Sequence, residues 1–170
     1  MSVTSARRPA TEAEVAALAS PVRLRIIRLT HTEALTNAQI ATRLGRDPAT
    51  TLHHIRRLVE HDFLRALPAR RGNRGAKEIP YLSTGLSWTL DPGDARGHLA
   101  DALLEAFLGE VADIGSESLR QTRLVLRLDP PAAAELTHDL QTLLDRYAAR
   151  PPDPDGEGVA LYLAIYPTKG

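Results

Sequence analysis

The chain has 170 residues, 43% hydrophobic and 25% charged, which suits one globular domain or two small ones and excludes disordered or collagen-like classes. Cysteine is absent, so disulfides, thiolate catalysis, thiolate metal sites and redox switching are all excluded. The 21 basic and 21 acidic residues cancel overall, but residues 20–84 hold 12 basic against 5 acidic and residues 85–170 hold 7 against 14. A front half at +7 and a rear half at −7 points to a front that meets a polyanion and a rear that does not. No apolar stretch approaches the roughly 18 residues of a membrane helix and the start carries no apolar signal core, so the expectation is a cytoplasmic protein with no membrane partner.

In chain order, residues 1–10 read as a flexible N-terminus. Thr11 is placed to cap a short helix through Ala19, and Ser20-Pro21 restarts one as N-cap and first-turn proline, running to about His31. Thr36-Asn-Ala-Gln39 has the form of a capping box, opening a short helix that ends at Gly45. Asp47-Pro48 opens another, 48–61, with Thr51, Ile55, Leu58 and Val59 at core spacing. Phe63–Leu67 and Glu78–Ser83 read as two strands around a basic tip, and Pro80, which cannot donate to a ladder, places the second strand at an edge or bends it. Helices, a turn, a helix and then a basic hairpin is the winged helix-turn-helix order.

Residues 14–84 resemble the ArsR-type winged-helix transcriptional regulators. The resemblance rests on LeuAlaSerProValArgLeuArgIleIleArgLeu at 18–29, IleAlaThrArgLeuGly at 40–45 and ThrThrLeuHisHisIleArgArgLeuValGluHisAspPheLeu at 50–64. It implies a DNA-binding domain over 11–84, followed by a linker, 85–94, and a C-terminal dimerisation and effector region, 95–170. Two residues depart from the family pattern. Leu52 stands where a small polar residue is common, and Asp62 stands where glycine usually ends the helix; aspartate tolerates the left-handed conformation better than most residues. The family's cysteine-based metal sites cannot form here.

With Thr51, Ile55 and Leu58 committed to a core, Ala49, Thr50, Leu52, His53, Arg56 and Arg57 are left outward or flanking on a helix that fits a major groove. Arg56 suits guanine, Thr50 and His53 suit bases or phosphate, Leu52 suits a thymine methyl, and Arg57 suits phosphate. The wing residues Arg70, Arg71, Arg74 and Lys77 suit the backbone or the adjacent minor groove, with Gly72 and Gly75 easing the turn. Asn37 and Gln39 flank a helix N-terminus that suits a phosphate. His54 is assigned to structure. His98, Asp101 and Glu105 share one helical face but read as its wet side rather than a metal site.

In the rear half, residues 95–114 form a helix that is apolar over much of its circumference, wide enough to serve a core and a second subunit. Arg123–Leu128 and Val159–Tyr166 alternate as strands around a helix opened by Asp129-Pro-Pro, a small β-α-β region in which Tyr162 and Tyr166 share a face. The fold class is therefore α+β, mainly helical. No hydrolase elbow, phosphate loop or zinc-protease motif is present, so no enzyme and no cofactor are expected. The expected function is a homodimeric regulator, a repressor by resemblance, binding double-stranded DNA at a palindromic operator, with a small-molecule effector left open. The alternatives are a winged-helix module that meets an acidic protein, and a ligand sensor with secondary DNA binding.

Overall fold

The structure is a computed structural model that describes residues 7–72, 77–153 and 155–168, so Arg74 and Gly75 lie outside the described residues. One unit spans Arg7–Gly115 and a second is built from residues 116–170.

In the first unit the local signals become caps. Helix α1 (Glu12–Leu18) opens with a full capping box: Glu14 N–H donates to Thr11 Oγ1 at 3.2 Å and Thr11 N–H donates to the Glu14 carboxylate at 2.8 Å. Helix α2 (Pro21–Leu29) starts at the expected proline, although the Ser20 side chain makes no cap bond. It stops two residues before the expected end, where the Thr30 hydroxyl turns back to donate to Ile26 O at 2.8 Å. Helix α3 (Asn37–Leu44) carries the second capping box, Thr36 with Gln39, and ends on Gly45 in the left-handed region at φ 60°. Helix α4 (Pro48–Glu60) is opened by Asp47, whose carboxylate accepts from Ala49 N and Thr50 N, both at 2.9 Å.

After α4 the chain reverses through Asp62 at φ 59°, a non-glycine residue in the left-handed region as the sequence requires. Strands β3 (Leu64–Ala66), β4 (Arg70–Arg71), β5 (Lys77–Glu78) and β6 (Pro80–Ser83) form the hairpin. A two-residue strand β2 (Leu35–Thr36), invisible in the sequence pattern, pairs with β6 on its other side. The sheet order is β2-β6-β3, so β6 is central rather than at an edge. Pro80 is tolerated there because it occupies the first position of the strand, while its carbonyl still accepts from Leu67 N at 2.8 Å. Ile79 separates β5, which pairs with β4, from β6, which pairs with β2 and β3.

Two expectations are corrected. Residues 8–9 are not free: β1 (Arg8–Pro9) runs parallel to β7 (Leu90–Asp91), and Ala10 N donates to Asp91 O at 2.8 Å. The expected linker, 85–94, is folded, with a 3-10 turn over Leu86–Thr89, β7, and Leu90 buried in the core. Helix α5 (Arg96–Ile114) closes this unit, with Ala102 and Ala106 buried and Leu99 packed on the core. Arg25 pairs with Asp113 and Arg28 with Glu110, tying α2 to α5. The core joins Ala17, Leu18, Ile26, Ile27, Leu35, Ile40, Leu44, Ile55, Leu58, Phe63, Leu64 and Leu90.

In the second unit, helix α6 (Pro130–Ala148) starts where Asp129 accepts from Ala132 N at 2.9 Å. The flanking segments, 123–128 and 159–166, carry no strand pairing, which corrects the expected β-α-β region. Alternation supplies a potential apolar face but a strand also needs a partner edge, and among the described residues of this unit none is present. Tyr162 and Tyr166 accordingly stand on a segment whose side chains are exposed rather than along a cleft.

Two measurements test these interactions. Replacing Asp62 with glycine relieves the left-handed strain and is expected to stabilise the protein by on the order of 0.5–1 kcal/mol in urea unfolding. The Glu14 carboxyl is held down to about 2 by the Arg8 guanidinium first and by Thr11, against its burial. A depressed carboxyl stabilises the fold fully above the ordinary 4.5 and loses that contribution as pH falls towards 2. Melting temperature should therefore decline with acid across that window, and Glu14→Gln should flatten that part of the decline.

Candidate nucleic-acid interface

Helix α4 is amphipathic with a strict division of labour. Thr51, Ile55 and Leu58 are buried, and Thr51 Oγ1 donates to Asp47 O at 2.9 Å, so the helix has one rotational setting. That setting turns His53, Arg56 and Glu60 outwards with Arg57 half-buried beside them, and these four line a shallow hollow along the exposed face. The spacing 53, 56, 57, 60 is one helical stripe. Arg57 donates to Glu60 at 3.0 Å, whereas Arg56 pairs with no acid among the described residues. Ala49 and Thr50 are exposed in the first turn, and the Thr50 hydroxyl leans on the Asp47 carboxylate at 3.3 Å. Leu52 is half-buried at the flank.

Asn37 and Gln39 hold the motif together as well as flanking the N-terminus of α3. The Asn37 amide donates to Pro48 O at 3.0 Å, which ties α3 to the first residue of α4, while its carbonyl oxygen is buried without a partner. Gln39 Oε1 accepts from Thr36 N at 2.9 Å, leaving its amide nitrogen without a partner among the described residues.

On the wing, β4 and β5 place Arg70 opposite Glu78 and Arg71 opposite Lys77. The Arg70 guanidinium stands 3.9 Å from the Glu78 carboxylate, a loose pair, and Arg71 faces a like charge across the ladder. Like charges directly opposite destabilise a hairpin, so the Arg71–Lys77 pair contributes nothing to the stability of this tip. Arg71 and Lys77 are both exposed. Gly72 is not in the left-handed region, and a Cβ there would press on the Glu78 side chain.

Residues outside the sequence-derived set also sit at this surface. Arg46, in the turn between α3 and α4, is exposed and has no acid partner among the described residues. His54 is half-buried behind the recognition stripe, its Nδ1 buried without a partner, and its pKa is pushed below the usual imidazole range by burial first and then by Arg23, His53 and Arg46. Arg23 crosses from α2 to the end of α1, donating to Ala17 O and to Ala16 O at 2.9 Å, and burial with the nearby Arg57 lowers its own pKa. The signal available in the sequence was Arg46 itself, immediately before the Asp47 cap. Among the described residues no group of three or more His, Asp and Glu side chains gathers to hold a metal.

The three-stranded sheet, the α3-turn-α4 pair and the basic hairpin together settle the domain. A family described as "Helix-turn-helix domain" matches residues 18–65. Over residues 18–65 the chain is similar to that family, and α3, the turn at Gly45 and α4 have the helix-turn-helix order. With the hairpin that follows it, the arrangement is that of a winged helix-turn-helix. Among solved structures, a double variant of Lactococcus lactis ZitR in apo form is 17% identical, covers 78% of this chain and 86% of its own, and superposes with a TM-score of 0.36. RV1404 from Mycobacterium tuberculosis is 19% identical over 79% of this chain and 75% of its own, with a TM-score of 0.31. Overlaps this loose leave the assignment to the element order and the sheet register. No curated protein matches the sequence.

The caps of this motif are testable one at a time. Thr36→Ala removes the bond to Gln39 N and exposes the start of α3, and is expected to cost about 1 kcal/mol in chemical unfolding.

Proposed function

We propose that this chain is a sequence-specific transcriptional regulator that binds a palindromic operator as a homodimer and acts as a repressor. The observation that carries the reading is the exposed stripe of α4, in which buried Thr51, Ile55 and Leu58 leave Arg56 turned outward without an acid partner among the described residues. A guanidinium on a groove-sized helix is suited to the O6 and N7 acceptors of guanine, with His53 and Thr50 donating beside it and Leu52 against a thymine methyl. Arg57, Arg70, Arg71 and Lys77 are assigned to phosphates and Arg74 is placed with them as an expectation from its position in the sequence; these contacts set affinity and register rather than sequence. Ala49 lets the first turn approach the groove closely, and Asn37 and Gln39 are assigned to a phosphate at the start of α3.

The dimer is supported by α5. Its Ala102 and Ala106 are spent on the core while Leu103, Leu104 and Leu108 stand 41–56% exposed on a helix of 19 residues. A second copy packed on that face would set two recognition helices about 34 Å apart on successive turns of the duplex. The ArsR-like character rests on the sequence resemblance, and the region 116–170 is left as the place for an effector.

Arg56→Ala is expected to cost roughly 1–3 kcal/mol against the preferred duplex and to relax specificity at one base position. A competition assay with single-base variants of the duplex reads this. Uniform weakening on every sequence would instead make Arg56 a phosphate contact.

A further inference from the structure

The second unit has no buried side chain among its described residues, yet its apolar residues are patterned. Residues 121–130 are all exposed, with Leu124 at 72%, Leu126 at 48% and Leu128 at 44%. From Arg120 to Leu128 no backbone group makes a hydrogen bond among the described residues, and Arg123 and Arg127 pair with no acid there. Residues 123–128 contain no proline or glycine and carry leucine at every second position. Such a segment, with its amides and carbonyls open, is an unguarded strand edge.

The segment is also complementary to itself. Laid antiparallel on its own copy about Leu126, it sets Leu124 opposite Leu128, Leu126 opposite Leu126, Val125 opposite Arg127 and Arg123 opposite Asp129. All the leucines then share one face, and each end pair unites opposite charges. Asp129 spends Oδ1 on Ala132 N at the cap of α6 and keeps Oδ2 for the arginine. The neighbouring registers are worse. Centring on Val125 sets Arg123 against Arg127, centring on Arg127 sets two guanidinium groups against each other, and a half-step to either side lays leucine opposite arginine. Charge therefore singles out one register, whereas residues 159–166 carry no charge with which to choose one.

We propose that residues 123–129 form an antiparallel two-stranded ladder with the same residues of a second copy of this chain, centred on Leu126. The contact is isologous, as a two-fold dimer requires, and it satisfies the open backbone groups of both chains together. Pro130, which donates no backbone hydrogen bond, ends the ladder and opens α6. This extends the homodimer of the proposed function by a contact outside α5, and it does not depend on duplex binding.

The absence of cysteine makes the test direct. Opposite residues of an antiparallel ladder lie about 4.5–5.5 Å apart at Cα, within reach of a disulfide. Arg123 is six residues out of step with its own copy, roughly 20 Å away. Single-cysteine variants of the full chain are oxidised with copper–phenanthroline and followed on non-reducing gels at several protein concentrations. Leu126→Cys is expected to form a covalent dimer about tenfold faster than Arg123→Cys, and adding Arg123→Glu to Leu126→Cys is expected to slow the cross-link on the order of fivefold. Both side chains are exposed, and circular dichroism establishes that the helix content of each variant is unchanged. Equal rates for Arg123→Cys and Leu126→Cys would report collisions of an unpaired segment and overturn the ladder. A faster cross-link in Val125→Cys than in Leu126→Cys would overturn the register that the charges set. If Leu126→Cys links to Leu163→Cys of another copy but not to itself, the partner is residues 159–166 and the self-pairing is wrong. Each of these failures leaves the duplex reading standing; a chain that cross-links through residue 126 and binds no duplex keeps this contact while the regulatory reading falls.

Discussion

One rotational setting of α4 governs the surface of this protein. Thr51, Ile55 and Leu58 are fully buried, and truncating Ile55 or Leu58 to alanine in a packed core costs about 2–5 kcal/mol. The helix therefore cannot roll, and the side chains a third of a turn away have no choice about where they point. The capping box of α3, the left-handed Gly45 and the Asp47 cap fix the turn before it, and the Asn37 amide bond to Pro48 O fixes the distance between the two helices. Asp62 fixes the exit, sending the chain directly into β3. The geometry of the exposed face of α4 is thus a by-product of burial and capping.

Charge is then distributed over that frame unevenly. Asp113 and Glu110 on α5 neutralise Arg25 and Arg28 of α2, and the cost of placing Glu110 there is visible: burial pushes its carboxyl up even with Arg28 and Arg25 pulling it down. Within residues 20–84, the exposed cations without an acid partner among the described residues, Arg46, Arg56, Arg65, Arg71 and Lys77, sit at the turn before α4, on its outer stripe and along the β3–β6 hairpin.

The sequence made the helix-turn-helix legible because its information is local. A capping box, a glycine C-cap and a first-turn proline each act within four residues, and all three appear at the expected positions in α1, α3 and α4. The readings that failed depend on distant partners. The chain from Gly85 to Asp94 has the composition of a linker, yet Leu90 is buried and β7 is paired by residues some 80 positions earlier, a contact no local pattern announces. The same holds for Arg25 and Asp113, and for the central place of β6, which depends on a two-residue strand too short to leave a period. Alternation at 123–128 and 159–166 is genuine, but a pattern specifies a face and not a partner. Of the candidate interface, the stripe His53, Arg56, Arg57 follows from helical spacing alone, whereas the Asn37 amide bond to Pro48 O, which ties α3 to α4, becomes visible only once the helices are packed.

The central claim is that a buried face on α4 leaves a base-reading face outside. Selecting bound duplexes from random fragments with the purified chain, and titrating the best of them against a scrambled control at two salt concentrations, tests it most directly. The account predicts an enriched, roughly palindromic sequence bound more tightly than the control by about a thousandfold or more, the range of specific recognition, with both affinities falling as salt rises. Equal affinity for every duplex, falling with salt alone, would contradict it and leave only an electrostatic surface.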